Sequence, residues 1–186
     1  MAVLYSGDGG WAGMDQSVAS LLAARGIPVV GIDSLRYFWN AKPPARMGQD
    51  LGAILAHYGK RWNRAKAIVV GYSFGADALP FAVNAMPAEM RGHIVKLALI
   101  GLDRKADFQF HLGSWLNYSG GEALPTVPAI HRLKGMNILC LRGAREEGSA
   151  CDLLDPAVVT RKVLPGAHHF NGDYASVTAQ LQEGVV

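Results

Sequence analysis

The chain has 186 residues, close to the usual size of one domain, and half of them are hydrophobic against 18% charged. That balance supplies one sizeable core and excludes disorder, collagen and coiled coil; Arg, Asp, Lys or Gly cuts every apolar run short of the roughly 18–20 residues a membrane helix needs. The net charge of +3, from 18 basic and 15 acidic residues, is scattered apart from Lys60, Arg61, Arg64 and Lys66, so no stripe marks a nucleic-acid partner, while a weak pull toward anionic lipid or another acidic surface stays open.

Short apolar runs alternate with helical patterns and no internal repeat is present, the order of a single parallel α/β domain over residues 1–186. Met1-Ala2 opens directly onto strand-like Val3-Leu4-Tyr5, which suggests a start trimmed from longer upstream sequence. The first strand is expected over Ala2 to Ser6, followed by a helix that Asp15 caps, that carries Val18, Leu21 and Leu22, and that Gly26 ends. A strand over Pro28 to Ile32 leads to a helix over Met47 to Trp62 with Leu51, Ile54, Leu55 and Tyr58 on one face. Strands follow at Ala67 to Val70 and Ile94 to Ile100, separated by a helix from Gly75 toward Met86 in which Pro80 must lie early or make a kink. Residues 101–135, with Phe108, Phe110, Trp115 and Tyr118 and no clear period, are too long for a simple connection and read as a lid-like excursion over the sheet edge. Strands at Asn137 to Leu141 and Thr160 to Leu164 and a helix over Asp173 to Gln182 complete the chain.

Gly71-Tyr72-Ser73-Phe74-Gly75 is a G-x-S-x-G between a buried strand and a helix, the setting of a nucleophile elbow. A strand-to-helix turn that sharp leaves no room for a Cβ at the glycines, while Ser73 projects from the strand end. A serine hydroxyl needs a base, and Gly166-Ala167-His168-His169-Phe170 follows the last strand, where such a fold carries it. His169 is favoured, because many hydrolases end in Gly-Ala-Asp-His-Phe with the base directly before Phe; His168 is the reserve. His57, His93, His111 and His131 read as surface or structural.

The orienting acid belongs in Arg142 to Asp152. Glu146, three residues after Gly143, is preferred, with Asp152 in reserve. Oxyanion donors are expected from the N–H of Phe74 and from Asp8, then Gly9, in Ser6-Gly7-Asp8-Gly9-Gly10-Trp11. Asp77, one helical turn after Ser73, either faces the site to attract a cation or caps backbone N–H groups. Tyr37, Phe38 and Trp39 either wall an apolar pocket or pack in the core. Cys140 and Cys151 match neither a redox motif nor a zinc pattern and are either a short disulfide loop or two separate buried thiols; no metal or cofactor is expected.

The ordered set Ser-Gly-Asp-Gly-Gly-Trp, Gly-Tyr-Ser-Phe-Gly-Ala-Asp, the Glu-rich stretch ending in Ser-Ala-Cys, and Pro-Gly-Ala-His-His-Phe-Asn-Gly-Asp-Tyr resembles the bacterial virulence protein family VirJ/AcvB over nearly the whole chain. The resemblance implies an α/β-hydrolase fold, its mostly parallel central sheet carrying helices on both faces, in the periplasm. For AcvB-type members it implies hydrolysis of the aminoacyl ester of lysyl-phosphatidylglycerol; VirJ-type members are associated with type IV secretion. By the same resemblance Ser73 is nucleophile and His169 base, the cysteines tilt toward a disulfide, and Asp77 is a candidate for holding a substrate ammonium. The acidic loop departs from the family pattern, since Gly148 stands where an Asp precedes the Ser.

The reading is a serine ester hydrolase acting on an aminoacylated phospholipid. Its rivals are a generic small-ester or thioester hydrolase, and a non-catalytic scaffold that partners secretion-system proteins.

Overall fold

The computed structural model describes residues 1–109 and 123–185. Six strands, β1 (Ala2–Tyr5), β2 (Val29–Ile32), β3 (Ala67–Tyr72), β4 (Ile94–Ile100), β7 (Ile138–Gly143) and β8 (Thr160–Leu164), form one sheet in the order β2-β1-β3-β4-β7-β8, every pair parallel. All six expected strands are present. β1, β3, β4 and much of β7 are buried on both faces, which is why they read as continuous apolar runs rather than alternating ones.

Helices cover both faces. On one, α3 (Pro44–Trp62) and α4 (Phe74–Ala85) bury Met47, Leu51, Leu55, Leu79 and Val83 against the sheet. On the other, α1 (Met14–Ala24) and α7 (Tyr174–Gln182) bury Val18, Leu22, Val177 and Leu181. Pro44 opens α3 three residues before the expected start, because proline suits a first helical position where the missing N–H would have no intrahelical partner. Pro80 lies in the second turn of α4 without ending it, and the Asn84 side-chain amide donates to its carbonyl at 2.7 Å.

One expectation changes. Asp15 does not cap α1: Gly13 holds the cap position, and Asp15 is buried in the first turn with no capping bond. Within residues 101–135, β5 (Lys105–Ala106) pairs antiparallel with β6 (Leu124–Pro125) and α6 (Thr126–His131) follows; Phe110, His111, Trp115 and Tyr118 lie outside the described residues. The short helices α2 (Ser34–Tyr37) and α5 (Ala88–Arg91) are additions that one turn of sequence is too short to reveal through periodicity.

Cys140 on β7 and Cys151 in the 3₁₀ turn Ala150–Leu153 form a disulfide, tying the strand to the loop that follows it. Closing so short a loop restricts the unfolded chain by about 2–3 kcal/mol. Reduction is therefore expected to lower the urea midpoint of unfolding by a corresponding amount; coincident midpoints with and without reductant would show that the crosslink carries no stability.

Candidate active site

The chain passes from β3 to α4 through a single residue. Ser73 has φ 52° and ψ −121°, a conformation that costs an L-residue on the order of 1–3 kcal/mol and persists only where its surroundings enforce it. The enforcement is visible: the Ser73 N–H donates to the Ile100 carbonyl at 2.8 Å, and the N–H groups of Ala76 and Asp77 return to the Ser73 carbonyl at 2.7 and 3.1 Å. The flanking glycines are steric necessities. A Cβ on Gly71 would lie 2.5 Å from the Gly75 carbonyl oxygen, and one on Gly75 would lie 2.5 Å from that of Tyr5. Phe38, fully buried, packs edge-on against Phe74 at 4.9 Å and so fixes the helix start. Phe38 is thus core, and only Trp39 of the three aromatics considered as a pocket wall is largely exposed, at 56%.

The loop after β1 lies directly against this turn. Gly10 closes it by donating to the Gly7 carbonyl at 3.2 Å, which leaves Asp8 and Gly9 at its centre. The Ser6 hydroxyl accepts the Ser34 N–H at 2.9 Å and donates to the Gly7 carbonyl at 3.1 Å, so β1's end is braced by α2. A Cβ on Gly7 would stand 3.4 Å from the Ser73 Cβ, which measures how closely the loop backbone approaches the serine. Asp8 and Gly9 line a cavity of about 430 Å³ together with Tyr72, Ser73, His168, His169 and Tyr174. The Phe74 N–H, the first of α4, has no intrahelical acceptor. Of the three candidate oxyanion donors, Phe74 thus follows Ser73 in the chain and Asp8 and Gly9 share its cavity.

Glu146 is where the offset from Gly143 predicted a useful carboxylate. Its N–H donates to the Gly143 carbonyl at 3.1 Å while its Oε2 accepts the Gly143 N–H at 3.0 Å, a reciprocal turn that fixes the side chain. Oε1 stands 2.5 Å from Nδ1 of His168, with Glu146 12% and His168 37% exposed. Burial opposes ionisation of Glu146, but the His168 bond, the Gly143 N–H and the charge of Arg142 together hold its carboxyl below the ordinary value. Asp152 points elsewhere, pairing with Arg142 at 2.8 Å while 53% exposed.

Both histidines of the pair line the cavity beside Ser73, but it is His168, the reserve, and not the favoured His169, that bonds Glu146. Phe170, buried in the core, donates its N–H to the Ala167 carbonyl at 2.9 Å, so the two histidines occupy the centre of a tight turn, their rings edge-on to one another with centroids 5.6 Å apart. The first ring turns to Glu146 and Ser73's cavities. The second places its Nδ1 2.8 Å from the Tyr72 hydroxyl. The turn, rather than adjacency to Phe170, decides which ring meets the carboxylate. His57, His93 and His131 line neither cavity beside Ser73; His93 meets the Ala65 carbonyl and His131 the Asp155 N–H. His111 lies outside the described residues.

A second cavity, about 300 Å³, shares Ser73 and His168 and adds Asp77, Gly101, Asp103, Glu146 and Glu147. Asp77 has a holding role here: its Oδ1 accepts the Asp103 N–H at 2.7 Å, tethering the loop after β4. Burial pushes its carboxyl well above the ordinary value, opposed by that N–H and reinforced by the charges of Asp103, Asp107 and Glu146. Two residues not singled out as site components complete the picture. Gly101, at φ +64°, passes so close to the histidine that an added Cβ would lie 2.6 Å from His168 Cε1; its position directly after an apolar strand was the available signal. Asp15 lines the larger cavity at 3% exposure, and its sequence pattern resembled an ordinary cap. Burial raises its carboxyl to about 7, against the pull of the Ala12, Asp15 and Gly7 N–H groups, with Asp33 adding to the rise.

A family model described as bacterial virulence protein (VirJ) matches residues 1–185. A search of curated proteins finds no match. Among solved structures, Est1E from Butyrivibrio proteoclasticus aligns with 98% of this chain and 85% of its own at 14% identity and a TM-score of 0.66. An α/β serine hydrolase without lid from Xanthomonas campestris aligns over 99% and 80% at 16% identity and 0.58, and a thioesterase domain from the curacin biosynthetic pathway over 98% and 91% at 14% and 0.58. The fold is that of the α/β hydrolases.

Gly101→Ala is expected to combine left-handed strain with displacement of the His168 ring. The far-downfield Nδ1 proton resonance of a histidine bonded to a carboxylate should weaken or vanish while the protein stays folded; an unaltered resonance would count against the contact. Asp15 yields a pH prediction. Between its unfolded value of about 4 and its folded value of about 7 the native state holds the extra proton, so stability falls as pH rises through that window. The melting temperature of Asp15→Asn relative to the natural protein should therefore be higher near pH 7.5 than near pH 4.5, by roughly a few degrees; a pH-independent difference would contradict the buried titration.

Proposed function

We propose that this chain, which belongs to the VirJ family of bacterial virulence proteins, is a serine ester hydrolase in which Ser73, His168 and Glu146 form the catalytic triad. The observation that carries the reading is the conjunction of a strained serine at a strand-to-helix turn with a histidine that lines the same cavities and holds a carboxylate at 2.5 Å through Nδ1.

Glu146 accepting from Nδ1–H fixes the tautomer that leaves Nε2 as the acceptor for the serine proton. Ser73 Oγ attacks the ester carbonyl carbon as its proton passes to Nε2. The charge on the carbonyl oxygen is met by the N–H of Phe74 and by the Asp8–Gly9 backbone, while Glu146 stabilises the imidazolium. Collapse of the tetrahedral intermediate breaks the bond to the alcohol, which leaves with the proton from His168. Water then repeats the sequence on the acyl-enzyme, with His168 as base, and releases the free acid and Ser73.

The proposed substrate is the aminoacyl ester of lysyl-phosphatidylglycerol. Two features support a cationic acyl group: the two cavities beside Ser73 are lined by Asp8, Asp15, Asp77, Asp103, Glu146 and Glu147, and their described lining contains no lysine or arginine. The disulfide supports an oxidising compartment, and the periplasm is proposed on that basis.

Release of lysine from lysyl-phosphatidylglycerol vesicles, with alanyl-phosphatidylglycerol and a small neutral ester alongside, tests the reading. Turnover should vanish in Ser73→Ala and fall on the order of 10²–10⁴-fold in Glu146→Gln. His168→Gln should be at least about 100-fold more damaging than His169→Gln. The reverse order would reassign the base, turnover of the neutral ester alone would replace the substrate, and no Ser73-dependent turnover of any ester would leave a non-catalytic scaffold.

A further inference from the structure

We propose that Asp15 is the residue that recognises a primary ammonium group of the substrate, and that the cavity between the Gly7–Gly13 loop and Tyr174 is the subsite that receives it. The proposal rests on the hydrolase reading above and assigns a specificity residue within the same site.

The argument begins with which carboxylates beside Ser73 are already engaged. Glu146 has both oxygens occupied, by His168 and by the Gly143 N–H. Asp77, the position suggested by the sequence for this task, has an oxygen committed to the Asp103 N–H and is part of how the loop after β4 is held. Asp103 accepts the Arg104 N–H at 2.5 Å. Glu147 is exposed, where water and salt screen whatever charge approaches it.

Asp15 differs from all of these. It is 3% exposed and lines the larger cavity; the backbone N–H groups of Ala12, Asp15 and Gly7 face its carboxyl, yet its Oδ1 has no hydrogen-bond donor among the described residues. A buried carboxylate oxygen without a donor is costly, and its survival in a wall beside a candidate nucleophile points to a donor that arrives with the ligand. The chemistry of that donor follows from the surroundings. Asp8 stands on the same cavity, Tyr72, His169 and Tyr174 supply further polar groups, and the described lining contains no lysine or arginine. An incoming anion would meet two carboxyls. A primary ammonium would meet them with three N–H donors, enough for Asp15 Oδ1 and two of its neighbours.

Gly9 and Gly13 line the same cavity as Asp15, and an added Cβ on either would meet nothing within 4 Å, so no side chain of those two residues occupies the subsite. An ammonium within about 4–6 Å also favours the ionised carboxyl, offsetting the burial that now raises it, so binding and ionisation of Asp15 reinforce each other. A neutral acyl chain of the same length obtains neither effect, and selectivity between the two is the expected consequence.

The test compares lysine methyl ester with methyl hexanoate. In the natural protein the ratio of their kcat/KM values should favour the lysine ester, and Asp15→Asn should lower that ratio at least about tenfold. Asp77→Asn should lower both rates with little change in their ratio. An Asp15→Asn ratio within about twofold of the natural one would overturn the proposal, even with hydrolysis intact.

A binding arm separates this outcome from failure of the hydrolase reading. Calorimetric titration of lysine methyl ester into Ser73→Ala protein, with and without Asp15→Asn, should give affinities at least about tenfold apart whether or not any ester is turned over. Equal affinities reject the subsite. Should Asp15→Asn fold poorly, the γ-carboxyl ¹³C resonance of Asp15 in Ser73→Ala protein decides: lysine methyl ester should shift it and methyl hexanoate should not, and a resonance indifferent to both overturns the assignment.

Discussion

The positive φ of Ser73 is the constraint around which the rest of the molecule is arranged. A residue in that conformation returns to a relaxed one unless the chain on either side is immobile, and here both sides are. β3 is central in the sheet and buried from end to end, while α4 is locked by the contact of Gly75 with the end of β1 and by Phe74 on Phe38. The close approach of Gly75 to the Tyr5 and Ser6 carbonyls has a further effect. It brings the loop that follows β1 beside the serine, so the turn that exposes the hydroxyl also fixes where its backbone donors lie.

The opposite wall is built by a different device, a set of close backbone approaches at the ends of β4, β7 and β8. A Cβ on Gly143 would run into the Ala167 carbonyl, and one on Gly166 would lie 2.7 Å from the Asn171 N–H nitrogen, so the loops after β7 and β8 interlock without side chains between them. The Arg145 N–H donates to the Gly166 carbonyl at 2.8 Å across the same junction. Gly101 then closes the third side, against the ring of His168 and the carboxylate of Glu146. The disulfide joins Cys140 on β7 to Cys151, so the far end of the Glu146 loop is covalently anchored to the strand that begins it.

Much of this was legible from sequence because buried parallel strands and nucleophile turns leave strong local signals. The six strands, the four long helices, Ser73, Glu146 and the glycine loop each depend on residues near one another in the chain. What was not legible depends on turns whose geometry is set by distant partners. Which of His168 and His169 meets Glu146 is set by the Ala167–Phe170 turn and by burial of Phe170, neither of which periodicity encodes. Asp15 looked like a helix cap because Asp before an apolar period usually is one; the loop Gly7–Gly13 folds over it and converts the position into a buried wall. Asp77 and Asp103 meet only because the loop after β4 returns across α4.

The density of carboxyls around Ser73 carries an electrostatic consequence that no single pair expresses. Asp77 feels Asp103, Asp107 and Glu146, while Tyr72 feels Asp15, Glu146 and Asp8, so each acid makes ionisation of the next less favourable. A site with that many mutually repelling acids is stable only because some are buried and held toward their neutral forms, and because one, Glu146, has a partner that compensates it. Any positive charge that appears among them is stabilised by all of them. The imidazolium that the proposed ester cleavage would create on His168 is one such charge, and the proposed substrate ammonium is another. Both His168 and Asp15 line one cavity, and the repulsion between two cations there is offset by giving each a carboxylate of its own, Glu146 at His168 and Asp15 at the proposed subsite.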